Sequence, residues 1–456
     1  MGKKFFNNKE AVKLIDDLGN EFVKIKNPDY IHPEYEICPM AKKVNNVKER
    51  ITAFVMDMDG TTTTTELLCL HSLEYMIRLF SGRTSKEEWA GLDHVNDYPH
   101  IIGNSTTKHV EYLINKYKGT FIQKNMQEAF IKAALWTLIK GKDEKRKEEV
   151  RNNVISLKLG EMLTDPLYRE LTQNSAVQEI TTAHLGRINA SYGDKFDVSS
   201  FDNLVRAGID VYYQRYHEIL ERIKKGEAGK VSDEIFSQPD IHLIEPMPGI
   251  LIFLSIINGW VNEDETEYLL PQLLKDYKTR TGREFTLCTF EEVKNNLRRL
   301  AGIYRKDPAK TALVTSSIFY EADTVMNELM SILRAQLMCI EMPQKMKEFL
   351  CDRFSDYNNV YKSFITASDS SEIRLKPHRD LYSIALYKLN VSKDKFNTVA
   401  GFEDSESGTI AIRTAGIGLC VALPFAQTKG HDLTSASYIC EGGLPEVLLT
   451  HKLFIQ

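Results

Sequence analysis

Two aspartates stand one residue apart at a glycine turn in "ITAFVMDMDGTTTTTE", Ile51 to Glu66. Side chains at i and i+2 of a strand face the same way, so Asp57 and Asp59 can converge at a strand end. Like charges that close repel, and a protein that keeps both ionised usually holds a cation between them. Gly60 lets the backbone come near enough for turn N–H groups to cradle an anion. Taken alone, the motif also fits two loop aspartates capping the next helix.

Three downstream stretches bear on that choice. "ALVTSS" puts the hydroxyls of Thr315 and Ser316 straight after an apolar run. "RLKPHRDLY" offers Lys376, a fixed positive charge, before a proline expected to set a helix start. "VAGFEDSESG" ends another apolar run with the adjacent acids Glu403 and Asp404, and a glycine follows. Each alone reads as a surface loop. In this order, each at a strand end, they supply what phosphoryl transfer needs: carboxylates for Mg²⁺, a nucleophile, and hydroxyl, amide and lysine contacts to phosphate oxygens.

The elements that would position them are legible as short apolar runs at 51–56, 311–315, 363–366, 397–402 and 417–423, mostly separated by helical patterns. Such alternation predicts an α/β core with a doubly wound, Rossmann-like parallel sheet, which binds ligands at the carboxyl ends of its strands. From 67 to 244 apolar residues recur three and four apart, as in Val205, Ile209, Tyr212, Tyr216, Ile219 and Ile223, predicting a large all-helical inserted domain. The chain returns at "EPMPGI". The predicted organisation is a helical extension over 1–48, a discontinuous core of 49–66 and 245–456, and a cap of 67–244. Further helical insertions are expected near 259–308 and 330–360. In the extension, Val12, Ile15, Leu18, Phe22 and Ile25 suggest one helix packed on the body, or else a partner-docking helix. The five threonines read as an extended linker between core and cap, with phosphorylation sites as the alternative.

Composition narrows the class. The chain has 456 residues, 43% hydrophobic and 27% charged, with a net charge of -5, and shows no electrostatic footprint for nucleic acid. No apolar stretch approaches the roughly 18 residues that span a bilayer, no signal-peptide core follows the N-terminus, and Phe6 breaks the myristoylation pattern. Seven scattered cysteines without a Cys-x-x-Cys pair predict reduced thiols, no zinc site and a cytoplasmic protein without a membrane partner.

"DMDGT", "VTSS", "KPHRDLY" and "GFEDSESG" resemble, in order, the four motifs of the haloacid dehalogenase superfamily. The likeness is greatest to its β-phosphoglucomutase-like phosphatases, in which a helical cap follows the first motif. Glu66, "PMPGI" and "DLTSASYICEGGLPEVL" also match that group's pattern, and the likeness covers about 51–80, 245–258, 310–330 and 362–450. The resemblance implies a Mg²⁺-dependent phosphatase acting on a small phosphorylated metabolite, with a sugar phosphomutase as the alternative. A non-catalytic binding protein on the same fold is a third reading. It implies Asp57 as the nucleophile that becomes an aspartyl-phosphate and Asp59 as general acid and base. Gly60 and Thr61 would lie against the phosphate, Thr315 and the Ser316 amide would hold it, and Lys376 would balance its charge. Mg²⁺ would be bound by Asp57, the Asp59 carbonyl and Asp404, with Glu403 nearby.

Other patterns carry less. "AGIGLC" mimics part of a dinucleotide fingerprint but precedes a strand instead of following one. His94, His100 and His109 do not match a helical metal pair and read as ordinary surface or core histidines. The same stretch resembles a cap substrate segment, which makes Asn104, Ser105 and Lys108 candidate substrate contacts. The sequence leaves the oligomeric state open.

Overall fold

The structure, a computed structural model, describes residues 5–27, 32–45, 47, 50–85, 87–101, 106–173, 180–236, 242–370, 374–425, 428 and 430–450. The chain divides into two compact units, Met1–Thr64 with Ile244–Gln456, and Thr65–Leu243.

The first unit opens with helix α1 (Asn8–Leu18) and a hairpin of β1 (Phe22–Lys26) and β2 (Tyr35–Pro39). The core strands follow: β3 (Ala53–Asp57), β4 (Thr63–Thr64), β5 (Glu245–Pro246), β6 (Lys310–Val314), β7 (Ser363–Ile365), β8 (Val399–Glu403), β9 (Leu419–Ala422) and β10 (Tyr438–Ile439). Six of them form one parallel sheet in the order β10-β9-β8-β3-β6-β7, the doubly wound core expected. Every residue of β3 and β8 is buried, because helices cover both faces of a parallel sheet and leave no side for water.

Alternation along β3 decides what its end faces. Phe54 turns to one face, where its ring meets Phe253 edge-on at 5.3 Å and stacks on Phe402 at 5.9 Å. Ala53 and Val55 turn to the other and pack with Leu381 and Tyr382 of helix α2 (Asp380–Lys388). Asp57 shares their parity and therefore emerges on the side from which Lys376 arrives. Pro377 does not sit at the start of this helix, as expected; it lies in the preceding turn, and Arg379 is the N-cap.

The N-terminal extension differs from the single packed helix predicted. The helix ends at Leu18, where Gly19 takes an extended, positive-φ conformation, and Phe22 and Ile25 fall on β1. "FVKIK" satisfies period two as well as period 3.6, and pairing with "YEICP" decides for the strand. None of the residues of α1 is buried, so Val12, Ile15 and Leu18 do not pack on the body. The hairpin is tied to the core by Arg413, a fully buried side chain that donates to the Ala41 carbonyl at 2.7 Å and pairs with Glu21.

In the second unit no strand occurs among the described residues; its longest helices span Glu66–Ser81, Gln123–Lys140 and Phe201–Lys224. A buried ionic network joins two of its helices. Arg146 pairs with Asp210, and the Asn153 amide donates to both Asp210 oxygens at 3.0 and 3.1 Å. Among the described residues no helix is long and apolar enough to cross a membrane.

Candidate active site

The sheet's carboxyl edge gathers the predicted residues. Asp57 ends β3 and Glu403 ends its neighbour β8; on the other side Asp57 pairs in register with Val314, so Thr315 follows directly. Lys376 comes from the stretch after β7.

After β3 the chain folds back at once. Thr62 and Thr63 N–H donate to the Met58 carbonyl, and Gly60 N–H donates to Thr63 at 2.7 Å. The Thr62 hydroxyl caps the Asp57 carbonyl at 2.7 Å. Thr63 and Thr64 then pair with Glu245 and Pro246 as a two-stranded ribbon, so most of the threonine run is buried, hydrogen-bonded structure. Gly60 has φ 82°, and a Cβ there would stand 2.4 Å from Asp404 Oδ2, so only glycine fits. Beside it, the Thr61 hydroxyl is buried without a hydrogen-bond partner among the described residues.

Lys376 is the hub. Its ammonium pairs with Asp57 and, at 2.7 Å, with Glu403 Oε1, which also accepts from the Tyr382 hydroxyl at 3.1 Å. Glu403 Oε2 accepts from Asp404 N–H, Ser405 N–H and the Ser405 hydroxyl at 3.0, 3.1 and 2.9 Å. Ser405 in turn N-caps helix α3 (Glu406–Thr414) through Gly408 N–H. At Gly408 a Cβ would lie 1.8 Å from the Glu403 carboxyl, so the glutamate occupies the space a larger residue would need.

These contacts set the charges. Burial pushes the Asp57 carboxyl well above the usual carboxylate range, the Glu403 charge adds to it, and Lys376 offsets only part. Burial also opposes ionised Glu403, yet Lys376 and the Ser405 donors outweigh it and hold its pKa low. Burial disfavours the Lys376 charge, but the two carboxylates more than restore it and raise its pKa. Asp57, Glu403 and Asp404 each offer an oxygen within 4.8 Å of the others. Buried carboxylates facing one lysine, next to a glycine cradle, fit a hard divalent cation with oxygen ligands. With both Glu403 oxygens engaged by protein donors, Asp57 and Asp404 are the better direct ligands.

Asp59 stands half-buried outside that trio and close enough for its charge to raise Asp57. Thr315 is buried, and its hydroxyl oxygen accepts from Ser317 N–H at 3.0 Å, which leaves the hydroxyl hydrogen to donate. Ser316 is exposed beside it. In the second unit His94 and His100 are exposed, the first tilted against Tyr98 and the second stacked on Tyr112, while His109 is buried. Lys108 is exposed; Asn104 and Ser105 lie outside the described residues. Tyr382, Ser405 and Gly408 stood inside the quoted motifs without a role; a serine just before a helical pattern was the available N-cap signal for Ser405.

No protein-family model matches the chain, and no curated protein does. Among solved structures, CbbY from Rhodobacter sphaeroides in complex with phosphate is 11% identical, with 88% of this chain and 99% of that chain covered and a TM-score of 0.35. A β-phosphoglucomutase from Clostridium difficile is 12% identical, with 88% and 96% covered and a TM-score of 0.31. Likenesses at such scores carry no weight for function, which rests on this chain's own residues.

Proposed function

We propose that the protein is a Mg²⁺-dependent phosphatase that hydrolyses a small phosphorylated metabolite through an aspartyl-phosphate at Asp57. The observation that carries this reading is the buried convergence of Asp57, Asp404 and Glu403 at the end of β3, with Lys376 paired to Asp57 and Glu403. A carboxylate so placed can attack phosphorus while neighbouring donors take up the charge on the phosphoryl oxygens.

Asp57 forms a bond to phosphorus as the ester P–O bond breaks, and the leaving oxygen takes its proton from Asp59. Asp59, now a carboxylate, then takes a proton from water as that water attacks phosphorus. The Asp57–phosphorus bond breaks, inorganic phosphate departs, and Asp57 returns to a carboxylate. Lys376, Thr315 and the Ser316 amide face the phosphoryl oxygens, and Thr61 supplies an unspent hydroxyl at the turn. Mg²⁺, held by Asp57, Asp404 and the Asp59 carbonyl, would supply positive charge against those oxygens and keep Asp57 ionised.

The test is hydrolysis of an aryl phosphate. Turnover is expected with Mg²⁺, and none with excess chelator or in Asp57→Asn. Full activity in that variant would remove Asp57 as the nucleophile.

A further inference from the structure

The helix Thr266–Thr281 lies in the 259–308 insertion, and its last turn carries Arg280 into the core unit. Arg280 Nη2 donates to the carbonyls of Leu423 at 2.9 Å and Pro424 at 2.8 Å, the first residues after β9. Its guanidinium carbon stands 5.6 Å from the centre of the Phe425 ring. That ring crowds the Gly60 turn: a Cβ on Gly60 would meet it at 2.8 Å, besides meeting Asp404. Leu423 N–H donates to the Glu403 carbonyl at 2.7 Å, which stitches this segment to the strand end bearing Asp404. Arg280 Nε, meanwhile, is buried with no hydrogen-bond partner among the described residues. Leaving such a donor unspent costs free energy that the other contacts of the side chain must offset.

We infer that Arg280 is a positioning residue that holds 423–425, and with it the Phe425 ring, against the Gly60–Asp404 edge, so that the carboxylates are set for a divalent cation. This rests on the proposed function. A second effect has the opposite sign: a guanidinium whose charge Asp404 feels repels any cation bound there. Substitution separates the two.

Arg280→Lys keeps the charge, but its side chain is shorter and lacks the planar guanidinium that lies along Phe425 while Nη2 holds both carbonyls. By calorimetric titration with MgCl₂, it is expected to bind Mg²⁺ roughly tenfold more weakly, the scale of one charge-assisted hydrogen bond. Its kcat at saturating Mg²⁺ and its melting temperature should stay near those of the unaltered protein. Arg280→Met loses clamp and charge together and should bind more tightly than the lysine variant, since the repulsion goes with the clamp. Unchanged or tighter affinity in the lysine variant overturns the assignment and leaves the proposed function standing. Should both variants misfold, hydrogen exchange on the unaltered protein decides. Mg²⁺ should slow exchange at the amides of Leu423 and Phe425, since coupling between a site and its support is reciprocal; no change there overturns the inference. Failure of the unaltered protein to bind Mg²⁺ at all overturns both readings.

Discussion

Each unit buries an ionic cluster, and the two are built differently. In the helical unit Asp210 is matched by Arg146, the Asn153 amide completes both carboxylate oxygens, and Arg146 also reaches Glu149 at 2.7 Å. Both Asp210 oxygens are filled, although Arg146 Nε is buried without a hydrogen-bond partner among the described residues, and the contacts resemble a network that fixes helix register. At the carboxyl edge of the sheet, Asp57, Glu403 and Asp404 converge, Lys376 pairs with the first two, and the Thr61 hydroxyl has no partner among the described residues. That cluster brings three buried carboxylates together with one ion-paired lysine, where the helical cluster buries one carboxylate against one guanidinium. A buried ion pair alone says little about function; an excess of carboxylates, placed where parallel strands end, is what the proposed function uses to take a cation and an anion.

The comparison can be broken at several points. The largest effect is expected at Asp59, outside both clusters. Asp59→Asn keeps the backbone carbonyl but loses the proton donor and base, so turnover of an alkyl phosphate should fall about 10²–10⁴-fold. Mg²⁺ affinity should persist; its loss in a folded variant would give the Asp59 side chain a metal role instead. Next is the balanced cluster. Arg146→Met strands a buried carboxylate and should cost about 3–5 kcal/mol of stability, most of it recovered when Asp210→Leu is added. Denaturant titration measures both, and Mg²⁺ should restore none of the loss. A loss that Mg²⁺ does restore would make the helical cluster a cation site too. Smallest is Tyr382→Phe, which removes one donor to ionised Glu403 and should lower kcat/KM about tenfold, the size of a hydrogen bond to a charged group. An unchanged value would show that Lys376 and Ser405 alone suffice to hold Glu403.

Much of this was legible because the chemistry sits at ends of apolar runs. The residues of β3 and β8 are buried on both faces, so the strands read as continuous hydrophobic stretches and the acids that follow stand out. The N-terminal strand differs from the helix expected because Phe22 and Ile25 stand at helical spacing while Val23 and Ile25 alternate with Lys24 and Lys26, and only the partner strand settles which period applies. The hydroxyl of Tyr382 reaches Glu403 through the way α2 packs on β3, which spacing along the chain cannot express. Arg280 lies 143 residues from Leu423 in sequence and inside an insertion, so no motif could have announced it. Order along the chain singled out the candidate residues that the sheet edge gathers; the residues that hold them needed the fold.

Under the proposed function Asp57 itself carries the phosphoryl group, and trapping the acyl phosphate tests this most directly. An aryl phosphate has a leaving group that needs little protonation, so Asp59→Asn should still transfer phosphorus to Asp57 while losing the base for hydrolysis. With Mg²⁺ and p-nitrophenyl phosphate, borohydride reduction followed by peptide mass spectrometry should find Asp57 converted to homoserine. Omitting Mg²⁺, or using Asp57→Asn, should abolish that conversion. A burst of nitrophenol with Asp57 unreduced, or with the label on another residue, would contradict the account.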